Sequence, residues 1–249
     1  MLMQEQDLVY DDRAIAAGLM PVPTQLLVPG RGLEVGTDNP FEGHVIEDSP
    51  DSKASYERAA ATGYYTKLHK EIGRVAFLGA ASFMVPEKDR PILTEADAMY
   101  AVADAINPEI RTMFKRDRTS RTSYGNLVET VRNNLIDPNQ VTGVVIHRDH
   151  AERFLKAARL VMPHTVFVVI PADKPGSTEM QKPSRNDRIS DFLYTIAMRG
   201  VTPGDIETIA RRDEMVQRNV LRIVNPLRKV VGLARGERKQ TQTQSALAA

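Results

Sequence analysis

The residues best suited to chemistry gather in the stretch HRDH, which holds His147, Asp149 and His150, and at Asp173, which follows a later apolar run. Imidazole nitrogens with carboxylate oxygens can hold Zn²⁺ or Mn²⁺, and a water on such an ion becomes a nucleophile near neutral pH. His147, Asp149, His150 and Asp173 are therefore the candidate metal-ligating set. They also have a purely structural reading. Asp149 suits a helix N-cap, Glu152 three positions on makes a capping-box-like pair, and His150 then faces solvent. Asp173 before Lys-Pro-Gly is good turn chemistry.

The elements around these residues explain why they could meet. The β-branched run VTGVVIHR predicts a strand over 141–147, and HTVFVVIPAD predicts another over 165–171. Between them DHAERFLKAARLVM carries Phe154, Leu155, Ala158, Val161 and Met162 on one helical face. Strand, helix and strand at this length predict a parallel crossover unit, and unalternating strands predict a sheet covered on both faces. Ligands of such sheets bind beyond the carboxyl ends of the strands, where the HRDH residues and Asp173 fall.

Other catalytic patterns are missing. The chain has no cysteine, which excludes disulfides, thiolate metal sites and cysteine nucleophiles. GRGLEVG at 30–36 only superficially suggests a phosphate cradle, because Pro29 interrupts the run before it, the last glycine is one residue late and no helix start follows. There is no G-x-S-x-G elbow. No cofactor is expected.

Charge is the stronger signal. The net charge is only +1, yet residues 1–60 hold eleven Asp/Glu against four Lys/Arg, and residues 211–240 hold nine Lys/Arg against three Asp/Glu. Such ends suit an anionic partner, pairing between subunits, or simply two solvated segments. In the stretch from Arg199 to Val224, GDIETIARR resembles the bracing helix and MVQRNVLRIVNPLRK the reading helix of a helix-turn-helix. The turn RRDEM lacks glycine and carries Asp213 and Glu214, which phosphates would repel, and the two helices could also run on as one. The candidate nucleic-acid contacts are Arg211, Arg212, Arg218, Asn219, Arg222, Arg228 and Lys229, with Lys115, Arg116, Arg118 and Arg121 in the basic stretch KRDRTSR, read as an exposed loop. Tyr124 beside it suits base stacking or core packing.

Along the chain, residues 1–52 are acidic and rich in Pro and Gly and read as an extended arm, with a short helix near Asp11–Gly18 and a short strand at TQLLVPG. A core domain is expected over 53–187, a basic helical lobe over 188–240 and a polar tail over 241–249. Ser52 or Ser55 suits the cap of a helix running to about Arg74, RVAFLG suits a helix or a strand, Thr94 caps a helix with Asp97, and Thr202 with Pro203 and Asp205 starts another. The fold class is α/β or α+β, helix-rich, with a small parallel sheet. No apolar run approaches the roughly 20 residues that span a bilayer. The acidic start lacks the order of a secretory signal, so a cytoplasmic location, or one within an assembled particle, is expected.

Together these features favour a non-catalytic subunit of a larger assembly, of nucleoprotein or viral type. Its basic lobe would meet nucleic acid or an acidic protein, and its partners would be copies of itself or other subunits, not a membrane. A helix-turn-helix-like DNA-binding regulator and a metal-dependent hydrolase at the HRDH and Asp173 strand ends are the alternatives.

Overall fold

Short apolar runs bounded by Pro, Gly and Asp build one parallel sheet. The computed structural model describes residues 8–30, 50–80, 94–120, 122–173 and 185–219. Its strands are β1 (Leu8–Val9), β2 (Gln25–Pro29), β3 (Arg74–Leu78), β4 (Phe114–Asp117), β5 (Thr142–Ile146) and β6 (Phe167–Pro171). All pair in parallel in the order β1-β6-β5-β2-β3-β4, so five strands form the body and the two-residue β1 trims one edge. The helices are α1 (Asp12–Ala16), α2 (Pro50–Leu68), α3 (Glu95–Ile106), α4 (Ser123–Arg132), α5 (Arg148–Val161), α6 (Arg185–Ala197) and α7, residues 206–219. The fold is α/β.

Successive residues of a strand face opposite ways, and here both sides are apolar. Leu27, Val144, Ile146 and Val169 pack with Leu127 of α4, Phe154 and Leu155 of α5 and Ile209 of α7. Leu26, Val28, Phe77 and Val145 pack on the other side with Ala59 of α2 and Met99 of α3. Two covered faces account for strands without alternation.

The crossover unit expected at 141–171 is present as β5, α5 and β6. Three local expectations change. TQLLVPG, assigned to the arm, supplies β2, which pairs with β3 on one side and β5 on the other. Pro29 is tolerated because it ends the strand, and the next amide, Gly30 N–H, continues the ladder to Leu78 O at 2.9 Å. The basic stretch after Met113 is not all loop, since Phe114–Asp117 forms the outer strand β4, where an exposed Lys115 suits an edge. Helix starts also shift. Ser55 lies inside α2 instead of capping it, and Asp205 rather than Thr202 caps α7, its Oδ1 accepting from Thr208 N–H at 3.0 Å. Thr94 and Asp97 do form the expected capping box of α3.

Helices α2 and α3 meet at Gly63. A Cβ there would lie 2.9 Å from Ile106 Cβ and 3.1 Å from the Ala103 carbonyl oxygen. Gly to Ala inside a helix ordinarily gains up to ~1 kcal/mol. Gly63→Ala is expected to reverse that sign and cost about 1–2 kcal/mol, because backbone must move. A fall in the urea midpoint checks it.

Candidate functional site

Strand order decides where a ligand can enter. The chain runs from β2 outward to β3 and β4, then crosses back to β5 beside β2 and outward again to β6. Helix α2, after β2, covers one face, and α5, after β5, covers the other. Connections that diverge from two neighbouring strands open a crevice at their carboxyl ends.

A single guanidinium organises that point. Arg58 of α2 is 1% exposed, and its Nη1 donates to Pro29 O at 2.6 Å and Gly30 O at 3.2 Å. Its Nε donates to Nδ1 of His147, the residue after β5, at 3.2 Å. Nδ1 must therefore be the imidazole's acceptor, and Nε2 carries the proton that it donates to Glu57 Oε2 at 2.8 Å. Burial and the Arg58 charge hold His147 below its ordinary 6.5, against the opposing pull of Glu57. A neutral ring with both nitrogens engaged bridges helix and strand and has no lone pair left for a metal.

Carboxylates occupy the neighbouring strand ends. Glu95, at the start of α3, is buried and accepts from Ser55 Oγ at 2.7 Å. Its carboxyl group lies against Gly30 and Gly79, where an added Cβ would come within 2.0 and 2.6 Å of it. Gly79 has φ +135°, a further reason for glycine there. Asp173, after β6, accepts from the Arg148 amide at 3.1 Å and so serves the first turn of α5.

The residues singled out from sequence take different partners. His147, not Asp149, is the N-cap of α5, and its side chain makes no capping bond. The cap lies two residues earlier than expected, and Asp173 supplies the acceptor for the first helical amide. Asp149 and His150 sit in the first turn, their closest charged atoms 3.9 Å apart, and His150 Nδ1 is 3.5 Å from Arg153 Nη2. No group of three or more His, Cys, Asp or Glu side chains able to hold a metal occurs among the described residues. Sequence reasoning missed Ser55, Glu57, Arg58 and Glu95. A signal existed in α2, where Ser55, Arg58, Thr62 and Thr66 recur at helical spacing and all are buried.

Four of the seven described candidates for nucleic-acid contact make ion pairs or hydrogen bonds within the chain. Arg116 and Arg118 converge on Asp97 Oδ1 at 2.6 and 2.8 Å. Burial pushes the Asp97 carboxyl up, but hydrogen bonds from Arg118 and Thr94 and the Arg116 charge outweigh it and hold it below the usual range. Arg212 donates to Ala197 O and Arg199 O at 2.7 and 2.9 Å, and Arg218 pairs with Glu214 at 3.2 Å. Lys115, Arg211 and Asn219 are exposed, and Arg121, Arg222, Arg228 and Lys229 lie outside the described residues. RRDEM makes no turn, because α7 runs through it. Asp213 is buried there, accepting from Thr122 Oγ1 at 2.9 Å, Tyr194 OH at 2.6 Å and Gln217 Nε2 at 2.8 Å. Burial pushes its carboxyl up, with those donors opposing. Tyr124 is core packing, stacked on Tyr194 at 5.0 Å.

Strand order defines a doubly wound α/β protein with a switch point between β2 and β5, and buried polar residues gather at its carboxyl edge. A scan against protein-family models and searches of curated proteins and of solved structures found no match.

The His147 bridge has a pH signature. Its neutral state contributes stability in full above its ordinary pKa of 6.5, and that stability is lost as pH falls through the depressed value. Imidazole ¹⁵N shifts followed from about pH 5 to 8 are expected to show the Nε2–H tautomer and a depressed midpoint. Arg58→Met should move the midpoint up and Glu57→Gln should move it down. A midpoint indifferent to both would contradict the bridge.

Proposed function

We propose that the protein binds a small polar molecule at the carboxyl edge of its sheet, in the crevice between β2 and β5. What supports this is one juxtaposition. The strand order puts a topological switch point at that place, and Ser55, Glu57, Arg58, Glu95 and His147 collect there from elements far apart in sequence. A parallel sheet covered on both faces offers its strand ends as the usual place for ligand recognition. His147 acts as a fixed bridge in this reading, so binding does not require it as a base or a metal ligand.

Protein-observed NMR with a library of polar fragments tests this on the full chain. Shift changes are expected to concentrate at Gly30, Gly79, His147 and Ala172, which border the strand ends. Hits confined to α6 and α7 or to the opposite edge would overturn it.

A second reading, an assembly subunit, keeps the sequence expectation and rests on a separate observation. Phe192 and Ile196 are 64% and 57% exposed one turn apart on α6, and Met215 of α7 is 48% exposed. Exposed large apolar side chains at helical spacing suit a protein partner. The ion pairs of Arg116, Arg118 and Arg218 favour protein over nucleic acid as that partner. Light scattering after size exclusion is expected to give a mass above the 27.7 kDa of one chain, reduced to that value in Phe192→Glu. A wild-type monomer at low and high salt would sink it.

A further inference from the structure

The face by which α7 docks carries a carboxylate where an apolar side chain would serve. Ile209, Asp213 and Val216 recur at helical spacing and are 0%, 3% and 6% exposed. Ile206 and Ala210 pack beside Ile209 against the core. Within this dry face Asp213 joins three elements. Its Oδ1 accepts from Tyr194 OH of α6 at 2.6 Å, and both its oxygens accept from Thr122 Oγ1, before α4, at 2.9 Å. Its Oδ2 accepts from Gln217 Nε2, one turn further along α7, at 2.8 Å. All three donors are neutral.

No cation pairs with Asp213 among the described residues. On α7, Arg212 is engaged by the Ala197 and Arg199 carbonyls, Arg218 pairs with Glu214, and Arg211 is exposed. Glu214 adds a like charge next in the chain. From α6 comes Tyr194, whose phenol is pushed far up by burial and by the Asp213 charge, so it stays a donor. From α4 comes Tyr124, also pushed up by burial, with Asp191 of α6 and Asp213 adding to the rise. The first turn of α4 is close, since a Cβ on Gly125 would lie 3.2 Å from Asp213 Oδ2, but the Gly125 amide is already given to Thr122 Oγ1 at 2.9 Å.

The same arrangement suits a carboxylic acid. Tyr194 and Thr122 both donate to Oδ1, and a proton on Oδ2 is donated to Gln217 once its amide turns to present Oε1. The acid and the anion each keep three hydrogen bonds, and only the anion buries a charge.

We propose that α7 is held to the body by a proton-dependent latch: with Asp213 neutral the helix stays docked, and with Asp213 ionised it opens more readily. Burial pushes this carboxyl above its ordinary 3.8, and Glu214 adds to the rise against the three donors. A group raised in the docked state holds its proton more tightly there than after opening. Its contribution to docking is therefore present in full below 3.8 and is lost as pH rises through the raised value.

The test is amide hydrogen exchange of the full chain from about pH 4 to 8, corrected for the intrinsic rate of free amides, with the Asp213 carboxyl followed by its ¹³C shift. The Asp213 midpoint is expected above 3.8. Opening of residues 209–217, relative to β2 and β5, should grow by about tenfold per pH unit up to that midpoint and then level off. Asp213→Asn, whose amide takes the same three hydrogen bonds as the acid, should leave α7 opening independent of pH. Should that variant fail to fold, Tyr194→Phe keeps the ring on Tyr124 and removes a donor to the anion. It should raise the Asp213 midpoint and carry the growth in opening to higher pH. Each of four results would overturn the latch: a midpoint at or below 3.8, no pH dependence of α7 opening in wild type, the same dependence in Asp213→Asn, or a midpoint unmoved in Tyr194→Phe.

Discussion

A guanidinium with almost no access to water has to be held by acceptors, and the acceptors of Arg58 are the parts of the chain that define the crevice. It binds the carbonyl ends of β2, the first residue beyond that strand, and the imidazole that closes β5. Leaving such a charge buried and unpaired would cost several kcal/mol, so α2, β2 and β5 cannot shift independently. Glu57 is linked to the arginine through a neutral His147. The imidazole accepts on one side and donates on the other, which orients both charges.

The same economy recurs along the edge. Helix starts ordinarily recruit a capping side chain from the residue just before them. Here α5 draws its acceptor from Asp173, a residue beyond the next strand, while Glu95 at the start of α3 turns toward Ser55 and two glycines. Carboxylates near helix N-termini are favoured by the partial positive charge there. Their use between elements, instead of within one, locks the relative positions of α2, α3, α5 and the strand ends. A rigid frame of this kind is what a binding site on loops requires.

What could be read in the sequence follows from which interactions are local. The β5–α5–β6 unit was legible because β-branched runs and a one-sided apolar helix need no knowledge of the rest of the chain. The capping box of Thr94 and Asp97 was legible for the same reason. Strand β2 was harder, since its prolines signal a loop unless one knows that they fall just outside the strand or at its last position. Strand β4 reads as polar because an edge strand is free to be charged. HRDH looked like a ligand cluster because its residues are close along the chain, but a helix begins inside it, and His147 is taken up by Arg58 and Glu57. Ser55, Arg58 and Glu95 meet only through tertiary packing, and the buried polar stripe of α2 was their one trace.

Charge counted along the chain says nothing of what each cation touches. The excess of arginine toward the carboxy-terminal end suggested an attachment face, yet potential at a surface depends on what each guanidinium touches. Arg212 is spent on two backbone carbonyls at the end of α6, and Arg218 faces Glu214 one turn away. Asp213, which read as a residue that would repel phosphate, is instead the buried acceptor that joins α7 to Thr122 of the β4–α4 connection and to Tyr194 of α6. That carboxylate is costly to bury, and three donors are needed to hold it. By gathering them, one carboxylate joins α7 to α6 and to the start of α4, and so fixes how the last described helix packs.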